Sequence, residues 1–213
     1  MMKYKYLFFD MDGTLFETSR GIIYSLQKAY KINNLTPLPE DKIKKLIGPT
    51  LDEIMNILFG EENTELKMKV REDFRMTYAK EGVFMLDLYP EVMDTLEKLY
   101  SKNRIMYIVT SKPEIFASQI LEKFNMSRFF KKICGVPLDG KIPPKSERLK
   151  NLIIEENIPL KEGLMIGDTL SDAKAAWENN VDFAWISFGF GHENEIKKYD
   201  YKINNFSQLL NLK

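Results

Sequence analysis

Short apolar runs alternating with helical patterns constrain this chain more than any other feature. Residues 6–9, 104–109, 133–135, 164–166 and 183–186 are mostly apolar and too short for helices. Most are followed by loop residues and then by helical spacing. Pro113 stands where a helix starts, ahead of apolar Ile115, Phe116, Ile120, Leu121 and Phe124. Lys145 opens a pattern through Leu149, Leu152 and Ile153. Ser171 or Asp172 is the expected N-cap of a helix over 173–178, with Asn179 and Asn180 ending it in a left-handed turn. Buried strands alternating with helices predict an α/β fold: a doubly wound, mainly parallel sheet with a Rossmann-like core.

One stretch breaks the rhythm. Between Leu15 and about Tyr89 the sequence shows no strand pattern but four helical ones. Their apolar faces are Ile22, Ile23, Leu26, Ala29 and Tyr30; Ile43, Leu46 and Ile47; Leu51, Ile54, Met55 and Leu58; and Leu66, Val70, Phe74, Thr77 and Tyr78. The joints fall at Asn33-Asn34 through Pro39, at Gly48-Pro49 and at Gly60 through Asn63. About 70 residues far exceed a normal crossover. The expected organisation is a core of 1–15 and 87–213 with an inserted helical cap domain over 16–86. Met55, Met68, Phe74, Met76 and Tyr78 read as core of that insert.

The first apolar run ends in Asp10-Met11-Asp12-Gly13-Thr14. Residues two apart in extended chain point the same way, so Asp10 and Asp12 converge at the strand's carboxyl end, where open α/β sheets bind ligands. Paired carboxylates need a shared proton or a cation. Mg²⁺, commonly held by one or two carboxylates plus substrate phosphate, is the simple solution. Asp-Gly is also an ordinary turn pair. A calcium loop fails, because positions 14, 15 and 21 are Thr14, Leu15 and Gly21.

Three further polar turns follow strands. Thr110-Ser111-Lys112 offers a hydroxyl and helix-starting amides to an anion, though it also reads as a plain N-cap. Gly167-Asp168-Thr169-Leu170-Ser171-Asp172 brings two more acids beside a glycine. Lys145 stands at a helix start, a poor place for a cation unless an anion pairs with it. In a parallel sheet all four turns share one edge. Acids for a cation, with a threonine and a lysine for phosphate, make up the equipment of phosphoryl transfer.

Composition narrows the alternatives. Lys+Arg and Asp+Glu both number 31, so the formal charge is zero, which argues against a nucleic-acid binder. The longest apolar run, 105–109, cannot span a bilayer, and the start meets Asp10 too soon for a signal-peptide core. A single cysteine, Cys134, excludes an intrachain disulfide or a Cys-clustered zinc site, and reads as a small buried apolar residue in a reducing cytoplasmic compartment. A single histidine, His192, argues against a Ser-His-Asp triad. Nothing in the sequence specifies an oligomeric state.

With DMDGT, VTS, Lys145 and GDTLSD in this order over nearly its whole length, the chain resembles the haloacid dehalogenase superfamily. The segments TSKPEIFASQILEKFNMSRFF, LDG ahead of Lys145, FGFG near the C-terminus and IGPTLDEI in the insert resemble its phosphoglycolate phosphatase-like branch. The resemblance implies a Mg²⁺-dependent phosphatase of small phosphorylated metabolites working through an aspartyl phosphate. Asp10 would be the nucleophile and Asp12 the general acid and base. The side chains of Asp10 and Asp168 and the carbonyl of Asp12 would hold the metal, with Asp172 in support. Thr110 would bond the phosphoryl oxygens, helped by Ser111 and Lys112, and Lys145 would neutralise charge. Asp12 argues against dehalogenation. The insert has no lysine in 16–20 for a phosphonate-cleaving Schiff base and no histidine for a sugar phosphomutase. Glu17 replaces the branch's usual aspartate. Arg20 and Gly48 are the expected substrate contacts from the insert. A sugar phosphomutase, a pyrophosphatase or nucleotidase, and a phospho-accepting receiver module stand as alternatives.

Overall fold

The computed structural model describes residues 3–62, 64–138 and 142–212. Asn63 and the Asp139-Gly140 part of the LDG segment lie outside the described residues. The chain divides into two compact units, one of 1–16 with 88–213 and one of 17–87.

The first unit is built on a six-stranded sheet. In chain order its elements are β1 (Tyr6–Phe9), then, after the other unit, helix Val92–Ser101, strand Ile105–Pro113, helix Glu114–Lys123, strand Phe130–Val136, helix Lys145–Glu155, strand Gly163–Gly167, helix Leu170–Glu178, strand Asp182–Ile186 and strand Tyr201–Ile203. Every pairing is parallel. Number the sheet strands β1 (Tyr6–Phe9), β2 (Ile105–Pro113), β3 (Phe130–Val136), β4 (Gly163–Gly167), β5 (Asp182–Ile186) and β6 (Tyr201–Ile203), and the spatial order is β3-β2-β1-β4-β5-β6. The chain grows outward one way from β1, returns, and grows outward the other way from β4. The order therefore reverses between β1 and β4, and the crevice at their carboxyl ends is where such sheets take ligands.

Pleating divides the core. Phe8, Tyr107, Val109, Met165, Phe183 and Trp185 pack with Leu149, Leu152 and Ile153 of helix Lys145–Glu155 and Ala173, Ala175 and Ala176 of helix Leu170–Glu178. Phe9 alternates to the other face and meets Phe130 and Phe206. Three small alanines let helix Leu170–Glu178 lie close on the sheet.

Among the described residues the second unit holds four α-helices, α1 (Ser19–Ile32), α2 (Glu40–Lys44), α3 (Leu51–Phe59) and α4 (Glu65–Thr77), the last running on as a π-helical turn over Tyr78–Gly82. Ile23, Leu26, Ala29, Tyr30, Ile43, Ile54, Met55 and Val70 form its core. Backbones touch where α1 meets the π turn: a Cβ on Gly21 would lie 2.2 Å from the Gly82 carbonyl oxygen.

Several expectations need correction. Two-residue strands Phe16–Glu17 and Asp87–Leu88 pair where the chain passes between units, in a stretch expected to hold no strand. Two residues carry no readable alternation. Met68 and Met76 are exposed, not core: α4 turns them away from the Val70 face. The N-cap of helix Leu170–Glu178 is Thr169, so that helix begins earlier than expected. Asn179 keeps ordinary backbone angles, and Asn180 alone of that pair takes the left-handed conformation, at φ 54°. Strand β6 has no apolar run to announce it. Cys134 is half-buried, and burial pushes its thiol up to about 11.

Candidate active site at the carboxyl edge of the sheet

Sheet register puts the polar turns together. Phe9 is level with Ile108 on one neighbour and Ile166 on the other. Asp10 stands one residue past that line, just beyond β1, and Asp168 two past it, just beyond β4. Thr110 is also two past it but still inside β2, so residues 110–112 continue the strand instead of forming the expected turn at a helix start. The Asp10 amide donates to the Ile166 carbonyl at 2.9 Å. Asp10 keeps the parity of Phe8, so it faces the side covered by helices Lys145–Glu155 and Leu170–Glu178. The first of those helices starts at Lys145, and the second carries Asp172 in its first turn.

Lys145 Nζ lies 3.0 Å from Asp10 Oδ1 and 2.6 Å from Asp172 Oδ1. The other Asp172 oxygen accepts from the Thr169 amide at 3.0 Å and its hydroxyl at 2.8 Å. A lysine at a helix start is thus paired with two anions, which removes the unfavourable encounter with the helix dipole. Asp10, Asp168 and Asp172 each present an oxygen within 4.8 Å of the others. All three are buried.

Asp12 sits apart from this trio and pairs with Lys112, whose Nζ is 3.1 Å from Asp12 Oδ2. Thr110 is buried, and its hydroxyl accepts the Lys112 amide at 3.2 Å. Ser111 is half-buried beside it. The structure thus gathers Asp10, Asp168, Asp172 and Lys145 into one buried cluster, with Asp12 and Lys112 as a separate pair. Arg20 and Gly48 belong to the helical unit. Arg20 is exposed and lies 3.7 Å from Asp87. Beyond Gly48, the start of α3 is closed on itself: Thr50 Oγ1 accepts the Glu53 amide and Glu53 accepts the Thr50 amide. Two donors that an anion would use there are already satisfied. His192 is exposed.

Electrostatics set this cluster apart. Burial pushes Asp10 up to about 6; Lys145 opposes the shift, while Asp172 and Asp12 reinforce it. Burial, then Asp172 and Asp10, raise Asp168 well above the usual carboxylate range. Burial alone would lower Lys145, but Asp10 and Asp172 hold it above its ordinary value. Once ionised, the four carboxylates (Asp10, Asp12, Asp168, Asp172) outnumber the two ammoniums (Lys112, Lys145) by two, the charge of one divalent cation. The donor set is all oxygen and hard, as Mg²⁺ prefers. The residues present fit such an ion.

The particular donors that fix Asp168 were not identified from the sequence. The Thr14 hydroxyl donates to its Oδ1 at 3.3 Å, the Phe190 amide to its Oδ2 at 2.6 Å, and the Trp185 indole to its carbonyl at 2.9 Å. Gly13, at φ 80°, lies so close that a Cβ would stand 2.1 Å from Asp168 Oδ2. The glycines of DMDGT and FGFG were the available signal. The Lys112–Asp12 pair gave none.

A buried acidic cluster with a lysine, set at the reversal point of a parallel sheet, suits a cation and a phosphoryl group. The sequence matches the model of the haloacid dehalogenase-like hydrolase family over residues 7–186, and the chain belongs to that family. It is similar to a 5'-nucleotidase of Pseudomonas aeruginosa, 31% identical over 93% of this chain and 89% of the relative. It is also similar to a phosphoglycolate phosphatase of Aquifex aeolicus, 32% identical over 86% of this chain and 85% of the relative. The crystal structure of a predicted phosphatase from Clostridium acetobutylicum superposes with a TM-score of 0.89 at 28% identity, covering 97% of this chain and 96% of that one. The chain is an enzyme of the phosphatase class, in the phosphoglycolate phosphatase-like branch. Among the described residues no helix is long and apolar enough to cross a membrane.

Proposed function

We propose that this enzyme hydrolyses small-molecule phosphate monoesters, of the size and charge of phosphoglycolate, with Mg²⁺ and through an aspartyl phosphate on Asp10. The observation that carries the reading is the buried gathering of three carboxylates, Asp10, Asp168 and Asp172, around the Lys145 ammonium. Asp10, Asp168 and Asp172, with the Asp12 carbonyl, would hold the ion, which supplies positive charge for the phosphoryl group.

In the first step an Asp10 carboxylate oxygen bonds to phosphorus and the ester P–O bond breaks. The electron pair leaves on the ester oxygen, which takes a proton from the Asp12 carboxyl. In the second step Asp12, now a carboxylate, takes a proton from water as its oxygen attacks phosphorus. The acyl phosphate bond breaks and Asp10 returns as a carboxylate. The sum is one ester and one water converted to one alcohol and one phosphate. Lys145 sits against Asp10 throughout and offsets its charge during approach of an anionic ester. Thr110, Ser111 and Lys112 supply donors to the phosphoryl oxygens. The helical unit is the cap, with Arg20 as its contact and the Gly48 turn contributing only through amides other than the two closed by Thr50 and Glu53. The single cysteine leaves a reducing cytoplasmic setting the simplest assignment.

Similarity to a 5'-nucleotidase favours a second substrate class, nucleoside 5'-monophosphates. A phosphate-release panel of phosphoglycolate, nucleoside monophosphates, hexose phosphates and pyrophosphate, with and without Mg²⁺, tests both readings. Mg²⁺-dependent release from small carboxylated esters supports the first, and release confined to nucleotides supports the second. Interconversion of hexose phosphates without net phosphate release would overturn both.

A further inference from the structure

Asp168 is held from behind by backbone amides of the loop after β5 and by an indole of that strand. After β5 the chain enters the Phe188-Gly189-Phe190-Gly191 loop, which folds back over this carboxylate. The Phe190 amide reaches Asp168 Oδ2 at 2.6 Å and the Gly191 amide follows at 3.4 Å. Added Cβ atoms show how close the approach is. On Gly189 one would lie 2.4 Å from both Cβ and Oδ2 of Asp168 and 2.4 Å from the Gly13 carbonyl oxygen; on Gly191 it would lie 2.0 Å from the Asp168 carbonyl oxygen. Gly189 does not lie in the left-handed region, so alanine there meets only this steric conflict and no backbone strain. The loop is anchored at its start, where the Phe188 ring meets the Tyr89 ring at 4.9 Å. The Trp185 indole, from the strand feeding the loop, fixes the Asp168 carbonyl.

We propose that the 188–191 loop, with the Trp185 indole, is the positioning device that aims Asp168 at the divalent cation. Each carboxylate oxygen has two in-plane acceptor sites; the loop amides of Phe190 and Gly191 take those of Oδ2, while Oδ1 receives the Thr14 hydroxyl and keeps a site for the ion. Gly189, Phe190 and Trp185 act through Asp168 and are positioning residues. Groups that orient metal ligands from behind typically set metal affinity within one to two orders of magnitude. The inference rests on Asp168 being a ligand to the ion.

The test is calorimetric titration of purified full-length protein with Mg²⁺, alongside thermal unfolding of the metal-free protein. Gly189→Ala is expected to weaken Mg²⁺ binding about tenfold or more. Trp185→Phe keeps the ring and loses one donor, with an expected weakening of about fivefold; it decides the question where Gly189→Ala does not fold. Lower melting temperatures with wild-type Mg²⁺ affinity would assign the loop a purely structural role and overturn the proposal. Asp168→Asn separates this from the parent reading. If Asp168→Asn binds Mg²⁺ as wild type does, the ligand assignment itself fails. If it loses binding while the loop variants retain it, only the role of the loop fails.

Discussion

Two buried lysines, one in each unit, show how differently the same side chain can be used. Lys67 in α4 gives its ammonium to neutral oxygens: the Asn56 side chain, the Gly60 carbonyl at 2.8 Å, and the Glu62 and Glu61 carbonyls at 3.3 and 3.4 Å. These lie at or just beyond the end of α3, where free carbonyls and the negative end of the helix dipole favour a cation. Lys67 is a stitch between helices. Lys145 instead meets two carboxylates within 3.0 Å, with Asp168 close behind them. Burial with satisfied neutral partners makes structure. Burial among surplus like charges leaves a site that something else must complete.

The largest effect expected is on Asp10. Asp10→Asn should lower phosphate release by more than about 10⁴-fold, as loss of a nucleophile does. It should also raise the melting temperature of the metal-free protein by removing a desolvated charge. Residual activity near wild type would remove Asp10 from the chemistry.

Exchanging the two lysines for Met separates their roles. Lys145→Met should cost about 10²–10³-fold in kcat, the scale of losing a preorganised charge at a transferring group. Lys67→Met should leave kcat within about threefold while costing about 1–3 kcal/mol of stability, since buried carbonyls lose their donor. Denaturant melts beside steady-state assays read both. Inactivation by Lys67→Met in a fully folded protein would break the comparison.

Cation and pH should act together. The folded-state pKa values of Asp10 and Asp168 are raised, so the folded protein holds protons that the unfolded chain has released. Metal-free stability therefore falls as pH rises from the ordinary carboxylate range through about 6, the value for Asp10. Mg²⁺ needs the ionised carboxylates and should restore that stability, by about 2.7 kcal/mol at a hundredfold excess over its dissociation constant. Thermal shifts on adding Mg²⁺ should be clear at neutral pH and small at acid pH. Equal shifts at both would sever the link between charge surplus and cation.

The smallest effects come from two similar helix starts. Thr50→Ala opens the exposed cap of α3 and should cost about 1 kcal/mol with no change in rate. Thr169→Ala removes a hydroxyl from Asp172, at 2.8 Å, and should lower kcat several-fold as well. Matched kcat values for the two would sharpen the account against any positioning role for Thr169.

What was readable in the sequence is what local pattern encodes. The strand of Tyr6–Phe9 and the acids directly beyond it needed only a short apolar run and a turn, and parallel register did the rest. The short pairings were not readable, because two or three residues show no period. Met68 and Met76 stand two residues from Val70 and Phe74, off the apolar stripe of α4, so helical spacing already turned them outward and side-chain hydrophobicity alone suggested core. Lys112 meets Asp12 across 100 residues, and Phe190 meets Asp168 across a helix and a strand. Contacts between distant segments leave no local signature beyond the glycines that permit close approach.

Acid-quenched mass spectrometry of the enzyme turning over a small phosphate ester tests the central claim most directly. The account predicts one added phosphoryl group, on the peptide containing Asp10, formed with Mg²⁺ and absent without it. Turnover with no such adduct when quenched on the timescale of a single catalytic cycle, or an adduct on another residue, would contradict it.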